Sequence, residues 1–397
     1  MPRAVVVLPS TTYRASDFVS AAAALGIDLV VASEQPPPFD MGENYLQIDC
    51  SDPVEAARKV TALGDNVPLD GVVAADDSGV MVAAFAGTAL GLASNSPDAA
   101  AATRDKSLMR QRLAKGEVPQ PGFDLLAIDD EATTDISYPV IVKPIDRSAS
   151  QGVIRVDRPE DLGHTMDRVR QIIGDDSAPL LVEQYIPGPE IAVEAVISDG
   201  ELTVLAMFDK PDTSDGPVFP ETIFVTPSNL ADSVQAEAVR VAQAAIRSLE
   251  LTHGPVHIEM RILAGKPQII EIAARSIGGL CSRSLNFGLM GTSLETLILR
   301  NAIGLEKPEL KREPHASGVL MIPTPVSGRL QGFEGLEQTR RIDGITGFDL
   351  TVQPGSEVLA PPAGDRYLGF VYASADTPES VEKALRTAMD TIVVDIQ

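Results

Sequence analysis

The sequence predicts an α/β protein of several domains, and three observations support that expectation. Near the N-terminus, buried-strand patterns alternate with a helical pattern, which is typical of a β-α-β unit. Residues 254–279 alternate apolar and polar side chains around a central glycine, as in a β-hairpin. From about residue 313 onward, short alternating runs are separated by Gly and Pro, which predicts a small β-rich domain closed by a helix over 378–389.

Length and composition narrow the function classes. A chain of 397 residues with 44% hydrophobic and 22% charged residues can form two or three globular domains. Its net charge of −24 argues against non-specific binding to nucleic acid or to an anionic membrane. Cys50 and Cys281 provide neither a disulfide framework nor a metal-binding cluster, so we expect a reducing, cytoplasmic location. The N-terminal apolar run is too short for a signal peptide, and no segment approaches the roughly 18 apolar residues of a membrane span.

The first elements place two acidic residues at the edge of a sheet. The predicted elements are a strand over 4–8, a helix over 16–25 that ends at Gly26, a strand over 28–32, a helix near 53–63 and a strand that begins at Asp70. Asp76 and Asp77 follow at the carboxyl end of that last strand, where ligands of open α/β sheets bind. Capping of the next helix explains either aspartate equally well.

The next segment contains two lysines of interest. Ser96, followed by proline, is typical of a helix start, and we expect the helix to run to Gly116 with Lys106 in its middle. A lysine on such a helix is usually solvated. A short buried strand over 138–144 carries Lys143 at its end, and a charge inside an apolar run bracketed by prolines is unusual for a solvated residue.

Two loops have the composition of binding loops. The loop over 146–153 is small and polar, and its backbone N–H groups and hydroxyls suit phosphate oxygens. It is a weak signal with a single glycine, and the chain has neither a Walker A pattern nor a Gly-x-Gly sequence. The loop over 209–229 has the length of a lid or substrate loop, and Lys210 and Glu221 are its candidate residues.

Two strands over 179–197, joined by Pro-Gly-Pro, carry Glu183 and Glu190. Backbone groups at an exposed strand end can pair with the edge of a base, and a carboxylate such as Glu190 can accept both hydroxyls of a ribose. The further predicted elements are a helix over 233–249 that leads to the hairpin, and a helix that opens at the polar turn 281–284 and ends near Gly304.

The hairpin over 254–279 holds the clearest candidate site. One face is predicted to carry His257, Glu259 and Arg261 of the first strand, and Ile269, Glu271, Ala273 and Arg275 of the second. If the turn is centred on Gly265, Glu259 and Glu271 are each six residues away and lie opposite each other. Opposed carboxylates repel, and a hard divalent cation with oxygen ligands would relieve that repulsion. Arg275 would then hold an anion that develops beside the metal.

Two alternatives for the hairpin remain open at this point. An ordinary solvent-facing hairpin would carry the same scattered charges. A two-residue turn would shift the register by one residue and put the two glutamates on opposite faces. The residues of the hairpin alone do not decide between these possibilities.

Taken in order along the chain, the candidates resemble the ATP-grasp superfamily. The matching positions are Lys106, Lys143, the loop 148–152, Glu183, Glu190, Glu259, Glu271 and Arg275. The combination EIAAR at 271–275 and the C-terminal region resemble the L-amino acid ligases, which are dipeptide-forming carboxylate-amine ligases. The domains implied are a pre-ATP-grasp α/β domain over 1–95, an ATP-grasp domain over 96–312 with a lid subdomain at about 120–190, and a β-rich C-terminal domain over 313–397 similar to that of biotin carboxylase.

The resemblance also implies an ATP site. The residues implied to bind ATP are Lys106, Lys143, Ser148, Ser150, Gly152, Glu183, Tyr185, Ile186 and Glu190. The lysines would contact the phosphates, and the serine-containing loop would form a flexible lid. Glu183 and the backbone of the two residues at 185–186 would read the adenine, and Glu190 would bind the ribose.

The remaining implied residues act on the metal and the substrates. They are the metal ligands Glu259 and Glu271, the catalytic residues Arg275, Lys143, Gly278 and Gly279, and the substrate residues Asp76, Lys210, Glu221, His257 and Arg275. The ion would be Mg²⁺, with Mn²⁺ as the alternative. The glycine backbone would face the tetrahedral intermediate.

Two positions depart from the pattern of the superfamily. Many members have Asn two residues after the second metal glutamate, whereas this chain has Ala273, as L-amino acid ligases do. Several of those ligases also have a histidine three residues after the glutamate that corresponds to Glu221, whereas this chain has Phe224. The second departure bears on how the substrate amino group is recognised.

The resemblance implies activation of a carboxylate by ATP to an acyl phosphate, followed by attack of an amine, with small-molecule acid and amine substrates and release of ADP and phosphate. The alternative enzymes are a carboxyphosphate-using carboxylase and a formate-dependent transferase. The alternative outside enzymes is a non-catalytic ATP-binding protein. A homodimer is the expected assembly, since homodimers are common in this superfamily.

Overall fold

The structure is a computed structural model that describes residues 1–10, 12–36, 42, 44–212, 215–288, 291–305 and 312–397. The N-terminal elements are β1 (Arg3–Val7), α1 (Ala15–Leu25), β2 (Asp28–Ser33), β3 (Tyr45–Gln47), α2 (Pro53–Asn66), β4 (Gly71–Ala74) and α3 (Val80–Leu90). The central elements are α4 (Pro97–Arg104), α5 (Lys106–Lys115), β5 (Phe123–Leu126), β6 (Val140–Pro144), β7 (Ile154–Val156), α6 (Leu162–Ile173), β8 (Leu180–Gln184), β9 (Glu190–Ser198), β10 (Glu201–Lys210), β11 (Ile223–Thr226), α7 (Asp232–Leu249), β12 (His253–Leu263), β13 (Lys266–Ala273) and α8 (Leu294–Ala302). The C-terminal elements are β14 (Ala316–Ile322), β15 (Gly328–Glu334), α9 (Leu336–Thr339), β16 (Ile345–Leu350), β17 (Glu357–Val358), β18 (Gly369–Ala375), α10 (Pro378–Thr391) and β19 (Val393–Ile396).

The N-terminal strands form a parallel sheet with the order β3-β2-β1-β4. β1 pairs with β2 across the connecting helix α1, which confirms the predicted β-α-β unit. Side chains of β1 are buried on both faces, since Val6 packs with Phe18 of α1 and Val5 packs with Val60 of α2. Asp76 and Asp77 follow β4 at the carboxyl edge of this sheet.

The prediction of one helix from Ser96 to Gly116 is wrong. α4 ends at Arg104, and α5 begins at Lys106. Asp105 between them has an extended backbone, and its side chain accepts hydrogen bonds from the N–H groups of residues 107 and 108, so it caps a new helix. Lys106 therefore lies in the first turn of α5 and not in the middle of a helix.

A small antiparallel sheet with the order β5-β8-β6-β7 stands apart from the large central sheet. The helix α6 covers one of its faces through Leu162, Met166 and Val169. The polar loop predicted over 146–153 joins β6 to β7 in this sheet.

The large sheet has the order β13-β12-β9-β10-β11-β14-β18-β16. β11 pairs with β14, so strands of the central and C-terminal regions form one continuous sheet. The predicted loop over 209–229 is therefore wrong in part, because Lys210 ends β10 and residues 223–226 form β11. Residues 213 and 214 of that predicted loop lie outside the described residues.

The hairpin of β12 and β13 has the predicted pairing for a reason that was not predicted. Ala264 and Gly265 form a two-residue turn, with φ values of 49° and 78°. That turn alone would put Glu259 and Glu271 on opposite faces. A β-bulge just beyond Glu259 shifts the register by one residue, so the two glutamates pair with each other.

The same bulge corrects the predicted face of Ile269. Ile269 pairs with Met260, and both are buried in the core with Ile272. Ile270 and Glu271, which come after the shift in register, both line a cleft on the other face. Ile269 therefore does not share a face with Glu271.

The region after the hairpin differs from the predicted continuous helix. The polar turn Cys281–Ser284 forms a short 3-10 helix, and α8 begins later, at Leu294, because the Ser293 hydroxyl caps it. The predicted β-rich C-terminal region and its closing helix are confirmed, since α10 packs on β14 and β18. Within the described ranges, no helix has both the length and the apolar character needed to cross a membrane.

Candidate active site

A cleft of about 710 Å³ lies between the small sheet and the large sheet. Its lining includes Lys106, Lys143, Tyr185, Ile186, Glu190 and Glu271. These residues come from α5, from both sheets and from the connection between β8 and β9. The fold therefore brings most of the predicted nucleotide residues into one cavity, whereas Ser148 and Gly152 do not line it.

Lys143 and Glu183 form a buried ion pair on the wall of the cleft. Lys143 Nζ lies 2.7 Å from Glu183 Oε2, and Arg110 Nε donates to Glu183 Oε1 at 2.6 Å. Burial alone would raise the pKa of Glu183, but the charges of Arg110 and Lys143 outweigh it and lower the pKa to about 2. Burial lowers the pKa of Lys143, and the charge of Glu183 opposes this.

Both carboxylate oxygens of Glu183 thus accept from cations. Glu183, whose side chain is predicted to read adenine, therefore holds Lys143 on this wall. Two backbone groups of the neighbouring residues that are also predicted to read the base have partners within the protein. The Tyr185 N–H donates to the Pro139 carbonyl at 3.1 Å, and the Ile186 carbonyl accepts from Arg261 Nη1 at 3.0 Å.

Glu190 lies where the cleft meets the end of β10. Arg261 Nε donates to Glu190 Oε2 at 2.9 Å, and Lys210 Nζ contacts Glu190 Oε1. Two cations therefore hold the carboxylate that is predicted to bind ribose.

Lys106 connects the polar loop to the hairpin. Its Nζ donates to the Arg147 carbonyl at 2.5 Å and lies 3.2 Å from Glu271 Oε1. The side chain is 9% exposed, so this charge is not a solvated one. Lys106 has this position because α5 begins at this residue, after the break at Asp105.

Glu259 and Glu271 face each other on neighbouring strands, and each has a cation beside it. Glu259 Oε1 lies 3.2 Å from Lys210 Nζ, whereas Glu271 pairs with Lys106. Burial alone would raise the pKa of Glu259, but Lys210 and His257 outweigh it and hold the pKa well below its usual range.

This pair suits a hard cation. Ionised carboxylates are the oxygen ligands that Mg²⁺ takes, and one or two of them usually bind the ion together with substrate phosphates. Among the residues that the structure describes, no group of three or more metal-binding side chains occurs. An ion at Glu259 and Glu271 would therefore need phosphates and water to complete its shell.

His257 is a buried link between two carboxylates. Its Nδ1 lies 3.1 Å from Glu194 Oε2, and its Nε2 lies 3.4 Å from Glu259 Oε1. Burial alone would lower the pKa of His257, but the hydrogen bonds and charges of Glu194 and Glu259 outweigh it and raise the pKa to about 9. His257 lines the larger cavity described next, with both ring nitrogens directed to carboxylates.

A larger cavity of about 1630 Å³ extends from the hairpin to the N-terminal sheet and shares Glu259 and Glu271 with the cleft. In it, Arg275 Nη2 lies 2.9 Å from Asp77 Oδ2, and Arg104 Nη1 lies 3.1 Å from Asp77 Oδ1. Burial alone would raise the pKa of Asp77, but the charges of Arg275 and Arg104 hold it well below its usual range.

The two aspartates after β4 have different surroundings. Asp76, the predicted substrate residue, lines the larger cavity, and its Oδ1 accepts from the Asp77 N–H at 2.8 Å. Asp76 therefore caps the turn, whereas Asp77 holds the two arginines.

The predicted substrate residues Lys210 and Glu221 also lie together. Lys210 Nζ lies 2.8 Å from Glu221 Oε1, and the Tyr367 hydroxyl donates to Glu221 Oε2 at 3.1 Å. Phe224 lies under this group, with its ring centre 5.1 Å from Lys210 Nζ. Because Tyr367 precedes β18, the C-terminal region completes this wall of the larger cavity.

The polar loop after β6 closes over the cleft. The Ser148 hydroxyl donates to Asp77 Oδ2 at 2.8 Å, Gln151 Nε2 donates to the Ala363 carbonyl at 2.9 Å, and the Gly152 N–H donates to the Pro362 carbonyl at 2.8 Å. Ser150 lines both the cleft and the larger cavity. The loop thus contacts the N-terminal and C-terminal regions at once.

Gly278 and Gly279 follow Arg275 on a tightly held segment. The Ile277 N–H donates to both oxygens of Glu194, and the Ile277 carbonyl accepts from Arg14 Nη1 at 3.2 Å. A Cβ on Gly279, whose φ is 59°, would lie 2.4 Å from the Phe370 ring, so packing explains this glycine. A Cβ on Gly278 would lie 4.0 Å from Arg275 Nη1, which is an ordinary van der Waals distance.

Three models of known protein families match parts of this chain. Residues 136–284 match the ATP-grasp domain, residues 19–94 match the ATP-grasp N-terminal domain, and residues 320–397 match the L-amino acid ligase C-terminal domain 2. This chain is an ATP-grasp protein that resembles the L-amino acid ligases.

Similar proteins include dapdiamide A synthase of Enterobacter agglomerans, which is 26% identical over 388 residues, or 89% of this chain and 87% of that protein. The L-arginine-specific L-amino acid ligase of Bacillus subtilis is 23% identical over 338 residues, or 82% of this chain and 79% of that protein. The crystal structure of the L-amino acid ligase from Bacillus licheniformis aligns over 100% of this chain and 99% of that chain, with a TM-score of 0.83 and 24% identity. The predicted ATP-grasp fold is thereby confirmed.

Several residues of this ATP-grasp site were not predicted. They are Arg110, Arg104, Glu194, Tyr367 and Arg14, together with Asp77, which was considered beside Asp76. Each of them acts on a residue distant in the sequence, so local patterns give no signal for its partner. Only Asp77 had a signal, which was its place at the carboxyl end of a parallel strand.

Proposed function

We propose that this ATP-grasp protein is a carboxylate-amine ligase. It would activate the carboxylate of an amino acid or a related acid as an acyl phosphate and join it to the amino group of a second amino acid. The observation that carries the proposal is the meeting of Lys143, the Glu259–Glu271 pair and Arg275 in two cavities that share the glutamates. The relatives named above, of which one is an L-arginine-specific L-amino acid ligase, support an amino acid as substrate.

In the first step, a carboxylate oxygen of the acid attacks the γ-phosphorus of ATP, and the bond to the β-phosphate oxygen breaks. Negative charge accumulates between the two cavities, where Lys106, Lys143 and Arg275 supply fixed positive charge. Glu259 and Glu271 would hold Mg²⁺, and the bound ion would neutralise phosphate charge. Catalysis would rest on positioning and electrostatic stabilisation.

In the second step, the amine nitrogen attacks the acyl carbon, the bond to the phosphate oxygen breaks, and the amine releases a proton. Asp77 keeps the Arg275 guanidinium in place beside this centre. An acyl phosphate is lost to water if the site is open, so the loop that carries Ser148 and Gln151 must exclude solvent.

The test measures phosphate release from ATP, in the presence of Mg²⁺, with single amino acids and with all their pairs. ADP is separated from AMP, and the masses of the products are determined by mass spectrometry. We expect ADP only with particular pairs, together with a product of the summed mass less one water. If no pair of amino acids gives ADP but bicarbonate or formate does, the ligase is rejected and a carboxylase or a formate-dependent transferase is favoured. ATP binding without turnover across a broad panel of acids would favour a non-catalytic protein.

A further inference from the structure

The side chain of Arg110 has no role in the proposed reaction, yet it is completely buried beneath the cleft. It lies on α5, one turn after Lys106, and its guanidinium makes hydrogen bonds to two separate walls. Nη1 donates to the Ile269 carbonyl at 3.1 Å and Nη2 donates to the Ile270 carbonyl at 2.6 Å, while Nε donates to Glu183.

The two carbonyls belong to the β-bulge of β13. In a regular strand, the carbonyls of consecutive residues point to opposite sides, so one planar group cannot bind both from one side. A bulge breaks that alternation by inserting an extra residue. The contact of one guanidinium with both Ile269 and Ile270 is therefore specific to the bulged conformation.

The bulge decides which way Glu271 points. Without it, the two-residue turn would pair Glu271 with Ile258, and Ile258 faces the buried core. With it, Glu271 pairs with Glu259 and lines the cleft. A buried carbonyl left without a donor is unfavourable, so the donors of Arg110 favour the bulged form.

The third donor of Arg110 reaches the opposite wall. Glu183, to which Nε donates, also binds Lys143 Nζ at 2.7 Å. β8, which carries Glu183, belongs to the small sheet, whereas β13 lies at one edge of the large sheet. One guanidinium thus links the two walls between which the proposed nucleotide would lie.

We propose that Arg110 is a positioning residue, which holds the bulge that turns Glu271 into the cleft and, through Glu183, holds Lys143 on the opposite wall. Arg110 thereby positions the Glu271 carboxylate and the Lys143 ammonium group together, as one unit. Only a fork of fixed N–H donors can make all three contacts, so lysine cannot replace arginine here. The role of the unit in binding Mg²⁺ and nucleotide rests on the proposed function, whereas its hold on the bulge does not.

The test uses Arg110→Lys and Arg110→Met, with Arg112→Lys as the matched control. Arg112 lies on the same helix, and its Nη1 donates to the Leu249 carbonyl at 3.4 Å. Amide hydrogen exchange is measured in peptides that cover β13, and ADP binding is measured by calorimetry with and without Mg²⁺. If Arg110→Met does not fold, Arg110→Lys, which keeps the positive charge, carries the test.

We expect Arg110→Lys to raise the exchange rate in β13 selectively and to reduce the gain in ADP affinity that Mg²⁺ provides by about 10-fold or more, which is the effect expected when a residue that orients a metal ligand is lost. Arg112→Lys should match the wild type in both measurements. Wild-type exchange in β13 of the folded variants would overturn the inference. An equal loss of ADP affinity with and without Mg²⁺, with exchange raised throughout the chain, would also overturn it. A wild-type protein that binds no ADP would reject the proposed function, and exchange in β13 would still decide the role of Arg110.

Discussion

At the scale of single residues, charge pairs organise the site. Arg275 is held by Asp77 and Lys143 is held by Glu183, and both pairs are largely buried. Each cation therefore keeps one geometry before any substrate arrives, which reduces the reorganisation that the reaction requires. The two pairs lead to separate predictions for activity and for stability.

Arg275→Ala and Glu271→Ala should each abolish product formation while the fold stays intact. Arg275 is proposed to stabilise the charge that develops in both steps, and loss of one such donor typically costs about 100-fold or more in rate. Product formation is measured together with the melting temperature. Arg247→Ala, which removes an exposed arginine on α7, is the control. Wild-type turnover in either site variant would refute the site.

Glu183→Gln should lower stability at neutral pH by roughly 3 kcal/mol, because the pKa of Glu183 is held at about 2 against an ordinary value of 4.5. A carboxyl with a depressed pKa in the folded state contributes stability that is full above pH 4.5 and is lost as pH falls toward 2. The difference between wild type and Glu183→Gln should therefore shrink between pH 5 and pH 3. Urea denaturation across that range measures it, and a difference independent of pH would contradict the prediction.

At the scale of elements, the loop between β6 and β7 acts as a closure. Ala149 and Ser150 have φ values of 54° and 56°, a conformation that non-glycine residues adopt only when neighbouring contacts hold them. Those contacts come from Gln151, which donates to the Ala363 carbonyl, and from Gly152, which donates to the Pro362 carbonyl, both in the C-terminal region. The closure therefore depends on a segment more than 200 residues away in the sequence.

Gln151→Ala should loosen this closure and let water reach the acyl phosphate. We expect the ratio of phosphate released to ligated product to rise, because hydrolysis would compete with the amine. Parallel assays of phosphate and product give the ratio. Gln331→Ala, which removes an exposed amide on β15, should leave the ratio unchanged. An unchanged ratio in Gln151→Ala would show that this contact does not protect the intermediate.

At the scale of the whole molecule, Arg14 joins three parts of the chain. Its Nη1 donates to the Ser276 hydroxyl at 2.7 Å and to the Ala75 carbonyl at 3.2 Å, and its Nη2 lies 2.6 Å from Glu295 Oε1 on α8. Ala75 precedes the aspartates after β4, and Ser276 follows Arg275. One buried arginine thus fixes the N-terminal sheet against the segment that carries Arg275.

Arg14→Met should destabilise the protein by about 3–5 kcal/mol, because it leaves Glu295 buried without its partner. The double variant Arg14→Met/Glu295→Gln should be less destabilised than the sum of the single variants, since no uncompensated charge remains. Urea denaturation of the four proteins of this cycle measures the coupling. Additive effects would show that the pair contributes no coupling to stability.

The sequence by itself determined the order of chemical groups along the chain and the strands that carry them. Alternation in β12 placed Glu259 and His257 on the face of the strand that lies away from the core residues Val256 and Ile258, because side chains of a strand alternate between its faces. The buried run of β1 and the position of Asp77 followed from the same local rules. These patterns need only neighbouring residues.

Tertiary structure alone decided the partners and the register. Glu271 reaches the cleft only through a bulge, and the donors at that bulge come from Arg110, 160 residues earlier in the chain. The break between α4 and α5 at Asp105 gives Lys106 its contacts with Arg147 and Glu271. The sequence around Asp105 has the pattern of a helix interior and does not predict that break. The ion pairs of Glu183 with Lys143 and of Asp77 with Arg275 depend on long-range packing. No local periodicity encodes the distance between residues that are far apart along the chain.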